Sequence, residues 1–357
     1  MHPRRTVVLA LLAARLPAGA ATDAAVSFPA DFGAHPASRI EWWYVTGALD
    51  AATRTWGFQI TFFRAATGLT GPGDPASRFA PGQIVFAHAA VTDLEKRRLR
   101  HDQRIARAGF GIAEASEGET GLVLRDWRLA RTEAGGRSRY RAVAASDAGG
   151  FSFALDFVAT QPVLLQGTGG LSQKGPRSEQ SSRYYSEPQL AATGTLSLDG
   201  RAALVTGRAW LDHEWSDSLL DASAVGWDWL GINLDDGAAL TAFRLRRADG
   251  STLWSGGSFR AAGAAIGRDF ANGEAVLAPG RIWQSPATKA RYPVEWRIAT
   301  PAGNFTLRAQ LDDQELDSRA STGAVYWEGL SVLSDESGRR VGRGYLEMTG
   351  YAAPLVL

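Results

Sequence analysis

The chain has 357 residues, enough for two domains on a prior of roughly 150 residues each. With 21% charged and 45% hydrophobic residues it can bury a sizeable core, which excludes global disorder. Its 38 basic residues nearly balance 37 acidic ones; the net charge of +1 argues against a dedicated nucleic-acid binder, and no apolar run reaches the roughly 18 residues of a membrane-spanning helix.

At the N-terminus, Arg4 and Arg5 precede an apolar run over 6–14, and Arg15, Leu16 and Pro17 lead into the small residues Ala18, Gly19, Ala20 and Ala21. Basic start, apolar middle and small-residue end are the order of a cleavable signal peptide, expected over 1–21. Its loss would remove three Arg and leave 35 basic against 37 acidic residues, a net charge of −2. A periplasmic or secreted protein is therefore expected. The chain has no Cys, which excludes disulfides, thiol nucleophiles and Cys-based metal sites.

Short runs rich in Val, Thr and aromatic residues then recur between Gly, Asp and Pro. They predict strands at 41–49, 56–64, 84–92, 122–131, 140–145, 151–159 and 194–198, and a second set at 203–210, 228–234, 239–246, 252–260, 293–299, 305–311, 324–333 and 343–351. No stretch carries helical periodicity beyond about three turns, so the expected class is all-β, as sandwich or barrel. The segment from Trp42 to Asp50 is echoed by that from Trp227 to Asp235, and each leads to a strand bearing Phe and Arg (Phe63, Arg64; Phe243, Arg244). Two related domains are expected, over 25–190 and 191–357. The Gly- and Ser-rich stretch from Gly167 to Pro176 reads as a linker or a functional flap, and the basic cluster Lys96, Arg97, Arg98, Arg100 and His101 as a solvated hairpin tip.

No nucleophile elbow, phosphate-binding loop, dinucleotide fingerprint or zinc-protease motif is present. The five His, at positions 2, 35, 88, 101 and 213, make no zinc pattern, so no metal is expected. Chemistry concentrates instead in two strands. Alternation puts Ala209, Leu211, His213 and Trp215 on one face and Trp210, Asp212 and Glu214 on the other. It likewise separates Asp228, Leu230, Ile232 and Leu234 from Trp227, Trp229, Gly231 and Asn233. Asp228 thus heads an aliphatic row, where burial would favour its neutral, proton-donating form. Glu41 shares its face with Trp43, Val45 and Leu49, and is expected to be the buried partner of an Arg, with Arg64 the candidate.

The blocks Glu41-Trp42-Trp43-Tyr44, Phe62-Phe63-Arg64, His88 to Asp93, Gly169 to Gly175, Tyr184-Tyr185-Ser186, Gly207 to Trp215 and Gly226 to Trp229 resemble the CrtC/AttH family. This lipocalin-like family includes carotenoid 1,2-hydratases and kievitone hydratase, and the match runs in order over roughly 40–350. The resemblance implies two lipocalin-like antiparallel β-barrels side by side, and an elongated apolar ligand such as an isoprenoid, carotenoid or lipid. It implies hydration of an alkene without a cofactor, with His213, Trp215 and Asp228 in the catalytic places. Trp43, Tyr185, Trp227, Trp229 and Glu41 are the expected ligand-facing residues. An aromatic hydroxyl expected close to that Asp is not evident, since Gly226 and Trp227 precede it. The other reading is a carrier that holds an apolar molecule and hands it to a membrane ABC transporter.

Overall fold

The computed structural model describes residues 25–69, 80–218 and 220–355. The expected signal peptide, 1–21, lies outside them. The described residues are strands, turns and one short 3-10 turn, Ala30–Phe32.

The first thirteen strands are β1 (Ile40–Ala51), β2 (Arg54–Ala66), β3 (Gln83–Asp93), β4 (Arg98–Arg107), β5 (Ala113–Ala115), β6 (Gly121–Leu124), β7 (Trp127–Ala134), β8 (Arg137–Ser146), β9 (Phe151–Val158), β10 (Leu164–Leu165), β11 (Leu171–Gln173), β12 (Ser181–Leu198) and β13 (Arg201–Ser216). They form one antiparallel sheet in the order β4-β3-β2-β1-β13-β12-β9-β8-β7-β6-β5, with β10 and β11 also on β12. The remaining strands are β14 (Gly226–Leu234), β15 (Ala239–Arg246), β16 (Thr252–Arg260), β17 (Arg268–Phe270), β18 (Val276–Pro279), β19 (Ile282–Gln284), β20 (Arg291–Pro293), β21 (Glu295–Thr300), β22 (Gly303–Ala309), β23 (Glu315–Asp317), β24 (Val325–Ser334) and β25 (Arg340–Met348). All but the β19–β20 pair join a second sheet, ordered β17-β16-β15-β14-β25-β24-β22-β21-β18, with β23 on β24.

The two orders follow the same scheme around their first strands. In each, the first strand lies between the second and the last, so β1 and β14, the two echoed segments, hold equivalent places. Each sheet curls around its own apolar core, one built on Trp43, Phe58, Phe62 and Phe157, the other on Leu230, Ile232, Trp296 and Trp327. These are lipocalin-like barrels, one of the two architectures that the alternation of apolar residues allows. The basic cluster does sit at a hairpin tip, between β3 and β4, where Lys96 and Arg100 pair with Asp199.

The division expected after residue 190 falls inside β12. That strand hydrogen-bonds to β13 and β9, and the change of sheet comes between Ser216 and Gly226. Nor does the Gly-rich stretch link the domains. Its β11 pairs with β12, Lys174 lies over the rings of Tyr184 and Phe243, and Trp254 Nε1 donates to the Gln173 carbonyl at 3.0 Å, so it bridges both barrels.

A third apolar cluster, with Tyr44, Ala48, Trp210, Trp229, Phe243, Leu330 and Tyr345, is the seam between the barrels. Polar contacts reinforce it: Gln189 N donates to Asn233 Oδ1 at 2.7 Å, and Asn233 Nδ2 donates to the Ala209 carbonyl at 3.0 Å. The close approach depends on Gly231, where a Cβ would lie 2.4 Å from the Trp229 ring and 3.1 Å from that of Trp210. Both indoles would have to move. Gly231→Ala is expected to destabilise the protein by about 1–3 kcal/mol, measured by denaturant unfolding.

Candidate functional site

The inward faces of β1 and β13 build a polar cluster inside the first barrel. Register places Glu41 opposite Trp215 and Trp43 opposite His213. His213 Nε2 lies 2.8 Å from Glu41 Oε1, and His213 Nδ1 lies 3.1 Å from the Tyr185 hydroxyl. Arg64 Nε donates to Glu41 Oε2 at 2.8 Å, as the sequence led us to expect, and Arg64 Nη2 donates to the carbonyls of His35 and Ser38. His35, on the segment leading into β1, adds its ring Nδ1 at 2.7 Å from Glu41 Oε1 and its main-chain N–H at 2.9 Å from Oε2. Trp43 stacks on His213 with centroids 4.4 Å apart, and His35 on Trp215 at 3.7 Å. Burial alone would raise the Glu41 pKa. The hydrogen bonds from His213 and His35 and the charge of Arg64 outweigh it and hold the carboxyl well below the ordinary range. Burial pushes His213 down, towards the neutral imidazole, against the pull of Glu41. Five of the eight residues singled out in the sequence therefore meet here: Glu41, Trp43, Tyr185, His213 and Trp215.

Asp228 does not join them. It lies inside the second barrel, where Arg244 Nε donates to Oδ2 at 2.7 Å, Arg246 Nε is 3.7 Å from the same oxygen, and the Tyr351 hydroxyl donates to Oδ1 at 2.9 Å. This corrects the expectation of a proton donor isolated among aliphatic side chains. The aliphatic row is real, but Arg244 stands directly opposite Asp228 in the register with β15, so the carboxylate acts as the acceptor of an ion pair. Tyr351, distant in sequence, is the aromatic hydroxyl that meets Asp228 in space.

The outward faces of the same strands create a second polar region, in the seam. Trp42 and Tyr44 from β1 and Trp210, Asp212 and Glu214 from β13 face Trp227 and Trp229 of β14, Phe243 of β15, Glu328 of β24 and Tyr345 and Glu347 of β25. Asp212 Oδ1 accepts from Trp210 Nε1 at 2.7 Å and from the Ser186 hydroxyl at 2.5 Å. Glu214 accepts from the Ser182 hydroxyl and pairs with Lys174 Nζ at 3.0 Å. Burial pushes Asp212 up to about 7 and Glu347 up to about 8, and raises Glu328 well above its ordinary value. The Tyr44 and Tyr326 hydroxyls lie beside Glu328 and temper its shift, yet neither meets hydrogen-bond geometry, and both Glu328 carboxyl oxygens are without a partner. The Glu347 carboxyl is enclosed, while the residue keeps part of its surface in contact with solvent, as do Trp42, Trp227 and Trp254. This part of the seam, here termed the recess, sets indoles that keep some solvent contact in front of buried acids whose neutral form is favoured.

The sequence reading placed Trp227 and Trp229 among ligand-facing residues, and both line this recess. It missed Glu328, Glu347, Tyr44 and Lys174. The available signal was Asp212 and Glu214 beside Trp210 on one face of a strand whose other face is also buried.

A family model described as AttH-like matches residues 19–351. The chain belongs to the AttH-like family. A crystal structure of a Nitrosomonas europaea protein assigned as an AttH shares 45% identity with it, covering 92% of this chain and 98% of that one, with a TM-score of 0.84. Kievitone hydratase of Nectria haematococca shares the fold at 15% identity and a TM-score of 0.67, covering 92% and 94% of the two chains. CghA is similar in fold at 13% identity and a TM-score of 0.50, with 90% of each chain covered. No curated protein matches the chain by sequence.

Two measurements probe the polar clusters of this AttH-like chain. Glu41→Gln leaves the fully buried Arg64 guanidinium without its carboxylate, and is expected to cost about 3–5 kcal/mol of unfolding free energy. The recess works in the opposite sense. Between their ordinary values and about 7 and 8, Asp212 and Glu347 hold protons in the folded state that the unfolded chain has released. Their contribution to stability therefore falls as pH rises through that window. Asp212→Asn, which keeps an oxygen to accept from Trp210 and Ser186, is expected to flatten this decline in thermal unfolding followed from mildly acidic to mildly alkaline pH.

Proposed function

We propose that this protein is a hydratase-type enzyme whose reaction takes place in the recess between the barrels, on an elongated apolar alkene of isoprenoid type. The observation that carries this reading is the placement of neutral carboxyl groups, Glu347 and Asp212, behind a rim of indoles. Kinship of fold with kievitone hydratase supports the reaction class.

The chemistry needs a proton, shelter for a carbocation and a water, and the recess supplies the first two without a cofactor. Glu347, whose neutral form is favoured below about pH 8, donates its proton to one alkene carbon. The electron pair of the alkene forms the new C–H bond and leaves a tertiary cation. The faces of Trp42, Trp227 and Trp229 stabilise that cation by roughly 0.5–2 kcal/mol each. Water attacks the cation, and its surplus proton returns to the Glu347 carboxylate, which restores the acid. Glu214, ion-paired with Lys174, lies close enough to disfavour leaving Glu347 ionised, so reprotonation is downhill. His213 and Trp215 act from behind: anchored inside the first barrel, they fix the alternate residues Asp212 and Glu214 in the recess. Asp228, held by its two Arg, has no step here.

The alternative is a carrier of an apolar molecule, exported and served by an ABC transporter. It is favoured by a cleft of about 560 Å³ at the end of the first barrel, walled by Trp56, Leu196, Leu198 and Ala203 under a rim of the charged Arg54, Asp93, Glu95, Lys96 and Arg201. Incubation with isoprenoid alkenes in heavy-oxygen water, followed by mass spectrometry, separates the two. The enzyme incorporates one labelled hydroxyl per product, loses activity as pH rises through about 8, and loses at least about 100-fold on Glu347→Gln. A carrier returns its ligand unlabelled, and Glu347→Gln leaves binding unchanged.

A further inference from the structure

The cluster inside the first barrel has a property that neither reading of the recess uses. Three potential ligand atoms, one each from His35, Glu41 and His213, lie within 4.8 Å of one another. Both imidazoles aim at the same oxygen, Glu41 Oε1, at 2.7 and 2.8 Å, while Arg64 Nε and the main-chain N–H of His35 hold the other oxygen, Oε2. One carboxylate lobe is thus committed to the protein and one faces the two rings.

We propose that His35, His213 and Glu41 form a zinc site at the mouth of the first barrel, with the open coordination position on the solvent side of His35. Two imidazoles and a carboxylate are a donor set that Zn²⁺ accepts, and Zn²⁺ imposes little geometric demand of its own. Bonds of about 2.0–2.1 Å at tetrahedral angles put ligand atoms roughly 3.3 Å apart, so the present contacts need to open by about half an ångström. His35 can supply that movement, because it lies on the segment before β1 and is one-fifth exposed, whereas Glu41 and His213 are fully buried on paired strands.

The surroundings fit as well. A ligating His usually gives its second ring nitrogen to a hydrogen-bond acceptor. His35 Nε2 has Asp31 Oδ1 at 3.3 Å, and His213 Nδ1 has the Tyr185 hydroxyl at 3.1 Å. Trp215 and Trp43 clamp the two rings from their faces. Charge also calls for a cation: Asp31 and Glu41 both contact His35, and Arg64 is the guanidinium paired with Glu41. A metal would in addition staple the segment carrying Phe28 and Phe32, which packs on Tyr185, to the barrel wall.

The test is titration of the full chain, stripped with a chelator and freed of it, with Zn²⁺ near neutral pH, read by calorimetry and by thermal unfolding. One Zn²⁺ per chain is expected, with a rise in the unfolding temperature. His35→Gln should weaken binding by at least about 100-fold and Asp31→Asn by about 10-fold, in the range seen when residues that orient metal ligands are replaced. Both variants alter the rim and leave the strands intact, and circular dichroism checks their fold. Absence of saturable Zn²⁺ binding by the unmodified chain would overturn the proposal, and so would undiminished binding by a folded His35→Gln. Either result leaves the reading of the recess standing, since that rests on Glu347.

Discussion

Both faces of the β1–β13 pair are buried, and this constraint governs the rest of the molecule. In an ordinary barrel strand one face meets the core and the other meets water, so alternation separates apolar from polar. Here the inner face carries Glu41, Trp43, His213 and Trp215, while the outer face carries Trp42, Tyr44, Asp212 and Glu214 into the seam. A slip of one residue would exchange the two sets. Glu41 resists it, held at once by Arg64 of β2 and His213 of β13, because a buried guanidinium tolerates no apolar substitute opposite. Gly47 and Gly207 complete the fit: a Cβ on either would lie within 2.4 Å of a carbonyl oxygen on the partner strand.

The two polar regions share strands but have opposite electrostatics. Inside the first barrel every carboxylate oxygen of Glu41 meets a donor, and the charged form is favoured. In the seam, acids crowd one another with few donors, and the neutral form is favoured. The first arrangement stabilises the fold at neutral pH and the second costs stability there. Acids that weaken the fold in this way are characteristic of working sites, where a perturbed pKa serves chemistry.

Much of this was legible in the sequence. The all-β class, the repeated domain, the family and the pairing of Glu41 with Arg64 all follow from period-two patterns and motif blocks. What failed were inferences that needed a neighbouring strand. The isolation of Asp228 was judged along β14 alone, while its partners sit on β15. The recess was invisible because Glu328 and Glu347 lie over a hundred residues beyond Asp212 and meet it only when the barrels dock. The domain division was misplaced because Pro188 and the register shift between Glu187 and Leu190 interrupt the pattern of β12, so its first half read as loop. His35 escaped notice since a loop has no periodicity from which to infer a direction.

The pairing of β1 with β13 also sets an order of events for a growing chain. Ile40 meets Ser216, so the first barrel cannot close until some 176 further residues have emerged. The second barrel repeats the delay on a smaller scale, with Asp228 waiting for Met348. Closing such long loops before any reward from contact makes assembly slow. In the interval β1 and β14 present unpaired edges to the surroundings, open to pairing with strands of other chains.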